Sequence, residues 1–297
     1  MCGIVGFISR DKKSKDIKEL ISMQVELLQH RGPNNKDFYI HKNLALGHTR
    51  LSILDLSEKG NQPMHSQCGR YVITFNGEIY NFKDLRRKVK NIHFKTESDT
   101  EVIVEYISAF GIQKTLESLD GMFAIGIWDN KKKELTIGRD RFGIKPLYWT
   151  IIEGSFFFSS ELKTFKLIPR FYPIINKSSL LDLLQYSCVA APKTIFENIF
   201  KLEPGKFISY GENQKLKENE FWNTKSLITN RNIYSNDFTL CKGFIENELE
   251  KSIRSTMVSD VPIGAFLSGG VDSSLVTSMM VKFSKRKVQT FSIGFDD

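Results

Sequence analysis

The chain has 297 residues, 41% of them hydrophobic, enough for one large domain or two ordinary ones with real cores. Its formal charge of +8 is spread over short runs such as Lys131-Lys132-Lys133, a polar turn between strands, without the basic patch and interleaved aromatics of a nucleic-acid binder. No stretch approaches the roughly 20 apolar residues of a membrane span and no basic-then-apolar leader opens the chain, so the expectation is a cytoplasmic protein with no nucleic-acid and no membrane partner.

In chain order, the first notable residue is Cys2, directly behind Met1. Once Met1 is removed, an α-amino group of reference pKa about 7.7 to 8.0 sits on the same residue as a thiol of about 8.5, a nucleophile that carries its own base. On these residues alone, a cysteine packed at the start of a buried strand fits as well. The other cysteines, Cys68, Cys188 and Cys241, are scattered without CxxC spacing, which supports neither a zinc site nor a disulfide framework.

Ile17, Leu20, Ile21, Leu27 and Leu28 mark one face of a helix that stops at Arg31-Gly32-Pro33. A strand at 72–75 runs into Asn76-Gly77, a hairpin-turn dipeptide. Ser98 with Glu101 forms a capping box that opens an apolar helix ending near Gly111. Strands are expected at 122–128, 134–139, 147–152 and 156–159, giving an α+β domain over residues 2–210. A polar, Asn- and Lys-rich stretch at 211–239, with Trp222 as an isolated anchor, reads as a linker. A helix at 240–258, a strand at 263–267, a Gly-rich turn, a helix at 274–283 and a strand at 288–293 then form a βαβ unit with parallel strands.

The turn in that unit belongs to VPIGAFLSGGVDSS, residues 261–274. An apolar strand delivers Ser-Gly-Gly onto a helix N-terminus, where backbone N–H groups and the helix dipole converge on a place for phosphate oxygens. There is no Gly-Lys-Ser/Thr ending, so this is not a Walker A loop.

Seven segments come in one order: MCGIVGF from Met1, HRGPN from His30, GHTRLSILDLS from Gly47, NGEIYN from Asn76, SDTE from Ser98, LDGMFAI from Leu119 and GRDRFGIKPLYW from Gly138. This series resembles the class II glutamine amidotransferases, and most of all the glutamine-hydrolysing asparagine synthetases, over essentially the whole chain. The resemblance implies an α+β N-terminal antiparallel sheet sandwich flanked by helices, of the Ntn-hydrolase type, over 2–210. The beginning of an α/β doubly wound ATP-pyrophosphatase domain is implied over 240–297.

By the same resemblance Cys2 is the nucleophile, and the Asn76 side-chain amide with the Gly77 backbone N–H forms the oxyanion hole. Arg50 pairs with the α-carboxylate of glutamine, Asp99 takes its α-ammonium, and Glu78 assists through its backbone. His30 and His48 read as structural, because the nucleophile already has a base. SGGVDS resembles a pyrophosphate loop, which implies Ser268, Gly269, Gly270, Asp272, Ser273 and Ser274 around pyrophosphate, Asp272 reaching Mg²⁺, and Leu267, Ile293 and Gly294 on the adenine side.

Joined, these imply a two-site synthetase with glutamine, aspartate and ATP as its partners. Ammonia from glutamine would pass inside the protein to a β-aspartyl adenylate, giving asparagine, AMP, pyrophosphate and glutamate. The family continues well past residue 297, so the 297-residue polypeptide is expected to hydrolyse glutamine and to make little asparagine. Other amidotransferases of the same half-fold lack the pyrophosphate loop; a relative that amidates a sugar or another carboxylate, and a non-catalytic binding protein, stay open, as does a homodimer.

Overall fold

The computed structural model describes residues 1–10, 14–211, 213–229, 237–284 and 286–294. They fall into two compact units, Met1–Thr224 and Lys225–Asp297. The strands of the first are β1 (Gly3–Ile8), β2 (Asn35–His41), β3 (Leu44–Arg50), β4 (Met64–His65), β5 (Tyr71–Ile79), β6 (Gly121–Asp129), β7 (Glu134–Arg139), β8 (Tyr148–Ile152), β9 (Ser155–Ser159), β10 (Phe200–Lys201), β11 (Lys206–Gly211) and β12 (Leu216–Glu220). Its helices are α1 (Ser14–Leu27), α2 (Phe82–Lys88), α3 (Asp99–Phe110), α4 (Ile112–Ser118) and α5 (Lys177–Tyr186); α6 (Thr224–Thr229) begins at the boundary.

Two sheets result, ordered β10-β8-β9-β1-β3-β2 and β12-β11-β7-β6-β5-β4. Every pairing within them is antiparallel. Strand alternation sorts the side chains between two cores. From β1, Ile4 and Ile8 join Leu44 and Leu46 against Val72, Ala124, Trp128, Ile137 and Ile208 of the other sheet. Val5 and Phe7 point the opposite way, onto Ile17, Ile21, Val25 and Leu28 of the helix α1 region. The Phe158 ring fits between the sheets because Gly6 and Gly126 carry no Cβ; either one would stand 2.6 Å from it. The first unit is therefore an antiparallel sandwich covered by helices, as expected.

Helix α3 starts as the capping box requires, with the Ser98 hydroxyl accepting from the Glu101 N–H, and it ends at Gly111. The Glu101 carboxylate does not return to Ser98; it accepts from the N–H groups of Lys95 and Thr96 instead.

Three expectations are corrected. Asn76-Gly77 is not a hairpin turn: both residues lie inside β5, opposite Ala124 and Phe123 of β6. Glycine serves close approach there, since a Cβ on Gly77 would fall 2.2 Å from the Met122 carbonyl oxygen. The stretch read as linker from residue 211 contains β12, which pairs with β11 from Lys206 to Tyr210. An edge strand with all five residues exposed carries no apolar alternation to betray it. Nor is Trp222 isolated, for its N–H donates to the Gly205 carbonyl and its ring meets Phe142 edge-on at 5.2 Å.

In the second unit, α7 (Phe238–Thr256) precedes β13 (Gly264–Phe266), α8 (Val271–Phe283) and β14 (Gln289–Phe291). Strands β13 and β14 pair in parallel, as the βαβ reading requires. Ile253, Met279 and Met280 form its buried core, with Leu249, Ile263, Ala265 and Val288 packed around them.

Candidate active site

Cys2 is fixed from both sides of its Cα. On the backbone side, Arg31 Nε donates to the Cys2 carbonyl at 2.9 Å, and Arg31 Nη1 is held by Glu161 Oε1 at 2.9 Å. His30 Nε2 meets the same oxygen at 2.9 Å, which makes it part of the brace, consistent with a structural role. On the side-chain side, the thiol donates to the Leu51 carbonyl at 3.7 Å and accepts from the Leu51 N–H at 3.4 Å. Burial pushes the thiol pKa up; the Leu51 N–H, the terminal amine and Arg50 pull it down, while Asp99 pushes it further up.

Arg50 ends β3 and is 6% exposed. Its guanidinium is gripped by the loop that follows. Nη1 donates to the Ser57 carbonyl at 2.6 Å and to Asn61 Oδ1 at 2.8 Å, and Nη2 donates to the carbonyls of Leu54 and Asp55. Neutral acceptors orient the fork, with the Asp55 carboxylate favouring its charged form from nearby, and a fork so aimed suits a carboxylate. Gly60 makes the room, because a Cβ there would lie 2.3 Å from Nη2.

Asn76 is 1% exposed, and its Nδ2 has no hydrogen-bond partner. A buried donor left unpaired is rare and costly, and here it faces the cavity that Cys2 lines. The strand beneath it is pinned at Phe75, whose N–H donates to Gln62 Oε1 at 2.7 Å and whose carbonyl accepts from His48 Nε2 at 3.1 Å. His48 is completely buried, which drops its pKa to about 3, so it is a neutral imidazole and a structural one.

Asp99 opens α3, its Oδ2 accepting from the Ile79 N–H at 3.0 Å. Burial raises its pKa to about 6, with Glu78 adding to the rise. An ammonium brought against it would reverse that shift.

One cavity is lined by Cys2, Arg50, Asn76, Gly77, Glu78 and Asp99, with Met1 and Lys145 beside them. All six residues that the sequence assigns to glutamine chemistry thus converge, although they come from four separate segments. Lys145, Gly60, Gln62 and Arg31 were missed as contributors. Arg31 and Lys145 lie inside quoted motifs, but only burial and partners distinguish them from surface cations.

In the second unit, Gly270 caps α8 and Gly269 stands at φ +80 with open space where a Cβ would be. Ser268 Oγ meets Ser273 Oγ at 3.1 Å, and the Ser273 and Ser274 hydroxyls both donate to the Gly270 carbonyl. Asp272 lies in the first turn of α8. Leu267 is tied to the neighbouring strand end, its N–H donating to the Phe291 carbonyl and its own carbonyl accepting from Ser292 Oγ at 2.6 Å, next to Ile293 and Gly294. The loop suits phosphate oxygens: glycine permits close approach and the helix N-terminal amides are uncapped by any side chain. Among the described residues no group of three or more His, Cys, Asp or Glu could hold a metal by itself. One carboxylate, that of Asp272, is the protein share a Mg²⁺ needs when phosphates supply other ligands.

Known proteins match the same two regions. The glutamine amidotransferase domain family matches residues 1–222 and the asparagine synthase family residues 245–297. A Methanocaldococcus jannaschii protein whose name is that of a glutamine-hydrolysing asparagine synthetase is 35% identical over 100% of this chain and 60% of its own length. Glutamine-hydrolysing asparagine synthetase 1 of Bacillus subtilis is 33% identical over 100% of this chain and 46% of its own length. The chain therefore spans less than two thirds of these curated relatives. Among solved structures, glutamine phosphoribosylpyrophosphate amidotransferase from B. subtilis superposes with a TM-score of 0.57 at 18% identity, over 74% of this chain and 49% of that one, which shows a shared fold. With the family match covering its first 222 residues, on the sandwich that carries the Cys2 cavity, the chain belongs to the glutamine amidotransferase domain family.

Proposed function

We propose that the first unit hydrolyses glutamine to glutamate and ammonia with Cys2 as nucleophile, once Met1 has been removed. Met1 lines the cavity mouth beside Cys2, so its loss both frees the α-amine and enlarges the space for substrate. The Cys2 thiol passes its proton to that amine as Sγ bonds to the γ-carboxamide carbon. Negative charge gathers on the amide oxygen, where the unpaired Asn76 Nδ2 and the Gly77 N–H receive it. The tetrahedral centre collapses, its C–N bond breaks, and the α-ammonium returns the proton to the leaving nitrogen, giving ammonia and a γ-glutamyl thioester. Water adds to the thioester, its proton going to sulfur, and glutamate leaves. Arg50 binds the α-carboxylate and Asp99 the α-ammonium throughout, with Glu78 assisting through its backbone.

The second unit contributes, on this reading, to ATP-dependent amidation of aspartate through a β-aspartyl adenylate, with ammonia as the nitrogen source and asparagine as product. Ser268, Gly269, Gly270, Ser273 and Ser274 would hold pyrophosphate oxygens, and Leu267, Ile293 and Gly294 the adenine side. Mg²⁺ carried with the nucleotide, with Asp272 as its protein ligand, would neutralise phosphate charge.

The observation that carries the reading is the convergence of Cys2, Arg50, Asn76 and Asp99 on one cavity. The test is a glutaminase assay on the purified chain with intact-mass analysis. Activity confined to the Met1-free form is expected; full activity in a preparation that retains Met1 would remove the base and overturn the mechanism.

A further inference from the structure

The segment GRDRFGIKPLYW has no part in the chemistry above, yet it is a built loop. Asp140 is 1% exposed, and its carboxylate accepts four backbone N–H groups: Phe142 and Ile144 on Oδ1 at 3.1 and 2.9 Å, Phe123 and Lys145 on Oδ2 at 3.2 and 2.9 Å. Arg139, 7% exposed, grips the loop's carbonyls, with Nε donating to Lys145 at 2.8 Å and Nη2 to Gly143 at 2.6 Å. Both backbone groups of Lys145 are therefore clamped by buried charged side chains.

What this clamp delivers is a lysine 6% exposed that lines the same cavity as Cys2 and Glu78. Among the described residues its ammonium makes no hydrogen bond and no ion pair. A buried lysine without a partner costs stability, and an apolar side chain of that length would fill the space without the cost. Burial pulls its pKa down, while Glu78, the Cys2 sulfur and Asp140 favour the charged form and Arg31 opposes it. The remaining charged groups on the cavity are the Met1 amine, Arg50 and Asp99.

We propose, resting on the glutaminase reading, that Lys145 is a positioning residue of that site: its ammonium holds the Glu78 carboxylate by charge and favours the Cys2 sulfur as thiolate at the moment of attack. Without it, the Glu78 carboxylate would stand uncompensated on the cavity that Cys2 lines. The sign is fixed: removing the ammonium raises the thiol pKa, so the acid limb of its reactivity moves to higher pH.

The experiment compares parent, Lys145→Met and Lys145→Arg, all Met1-free by intact mass, in two assays: glutamine kcat/KM against pH, and iodoacetamide alkylation of Cys2 against pH, read by peptide mass. Lys145→Met is expected to move the alkylation midpoint to higher pH and to lower kcat/KM at neutral pH several-fold. Lys145→Arg keeps the parent midpoint and most of the rate. Adding Glu78→Gln to Lys145→Met brings the midpoint back down. Circular dichroism checks folding, and Lys145→Gln is read on the same scale if the Met variant does not fold. An unmoved midpoint in an active parent background overturns the role of Lys145 alone, whereas a parent without glutaminase activity overturns the reading beneath it.

Discussion

The glutamine cavity and the Ser-Gly-Gly loop solve the problem of binding charge in opposite ways. In the cavity, Arg50, Asn76 and Asp99 are all at least nine-tenths buried and are delivered by β3, β5 and α3, so the site exists only when the sandwich is complete. In the loop, Ser268 to Ser274 are contiguous, mostly exposed, and bonded chiefly to one another. A dispersed site is preorganised by the whole core and reads sequence-distant residues; a contiguous one is preorganised by a single turn and helix start. Substitutions in the cavity should therefore alter glutaminase chemistry, and those in the loop should leave it untouched.

The largest effect tests whether the cavity contains the catalyst. Cys2→Ala is expected to lower glutaminase kcat on the order of 10³-fold or more while leaving the melting temperature near the parent's, because an alanine keeps the backbone carbonyl that Arg31 holds. A fall in activity that tracks unfolding by circular dichroism would contradict it. Next, Asn76→Ala removes the unpaired Nδ2 and should lower kcat by about 10² to 10³ with KM little changed, as expected of a donor that acts on the transition state. A pure KM effect would place Asn76 in ground-state binding instead.

The same contrast explains what sequence alone conveys. The βαβ turn is legible because strand, glycines and helix start are adjacent, and strands such as Glu134–Arg139 are legible because their burial is written as apolar residues. Strand β12 is not, being exposed along its length, and neither is β2, which has no fully buried residue. The motif series names the cavity residues but not their supports. That the Cys2 thiol rests on Leu51, that Gly60 yields space to Arg50, and that Lys145 is buried are facts of long-range pairing, carried by β1 lying on β3 and by loops closing over them.

Asp99 offers a pH signature of intermediate size. Its pKa of about 6 in the fold against an ordinary aspartate value of 3.8 means that the folded protein holds this proton more tightly than the unfolded chain. Its contribution to stability is full below pH about 4 and is lost as pH rises through about 6, a change of about 3 kcal/mol. Asp99→Asn should remove that decline, so urea titrations at pH 4 and 7.5 should differ less for the variant than for the parent. Glutamine, by presenting an ammonium, should recover stability at pH 7.5 in the parent only. Equal slopes in both proteins would mean that Asp99 is not charged at a cost.

The smallest and most selective effect comes from adding one methyl group in each region. At Gly60 a Cβ would fall 2.3 Å from Arg50 Nη2, so the guanidinium must shift against the carbonyls that grip it. What is lost is the fork's aim, and Gly60→Ala should raise KM for glutamine about 10-fold with kcat nearly unchanged and the melting temperature modestly lowered. At Gly270 a Cβ would meet nothing closer than Ser268 Oγ at 3.6 Å, an ordinary contact, and the residue sits in extended backbone at φ −76, ψ 160. Gly270→Ala should therefore leave both glutaminase parameters at the parent's values. A KM shift from Gly270→Ala as large as that from Gly60→Ala would mean that the two regions are not separate in their energetics, because nothing local to residue 270 accounts for it.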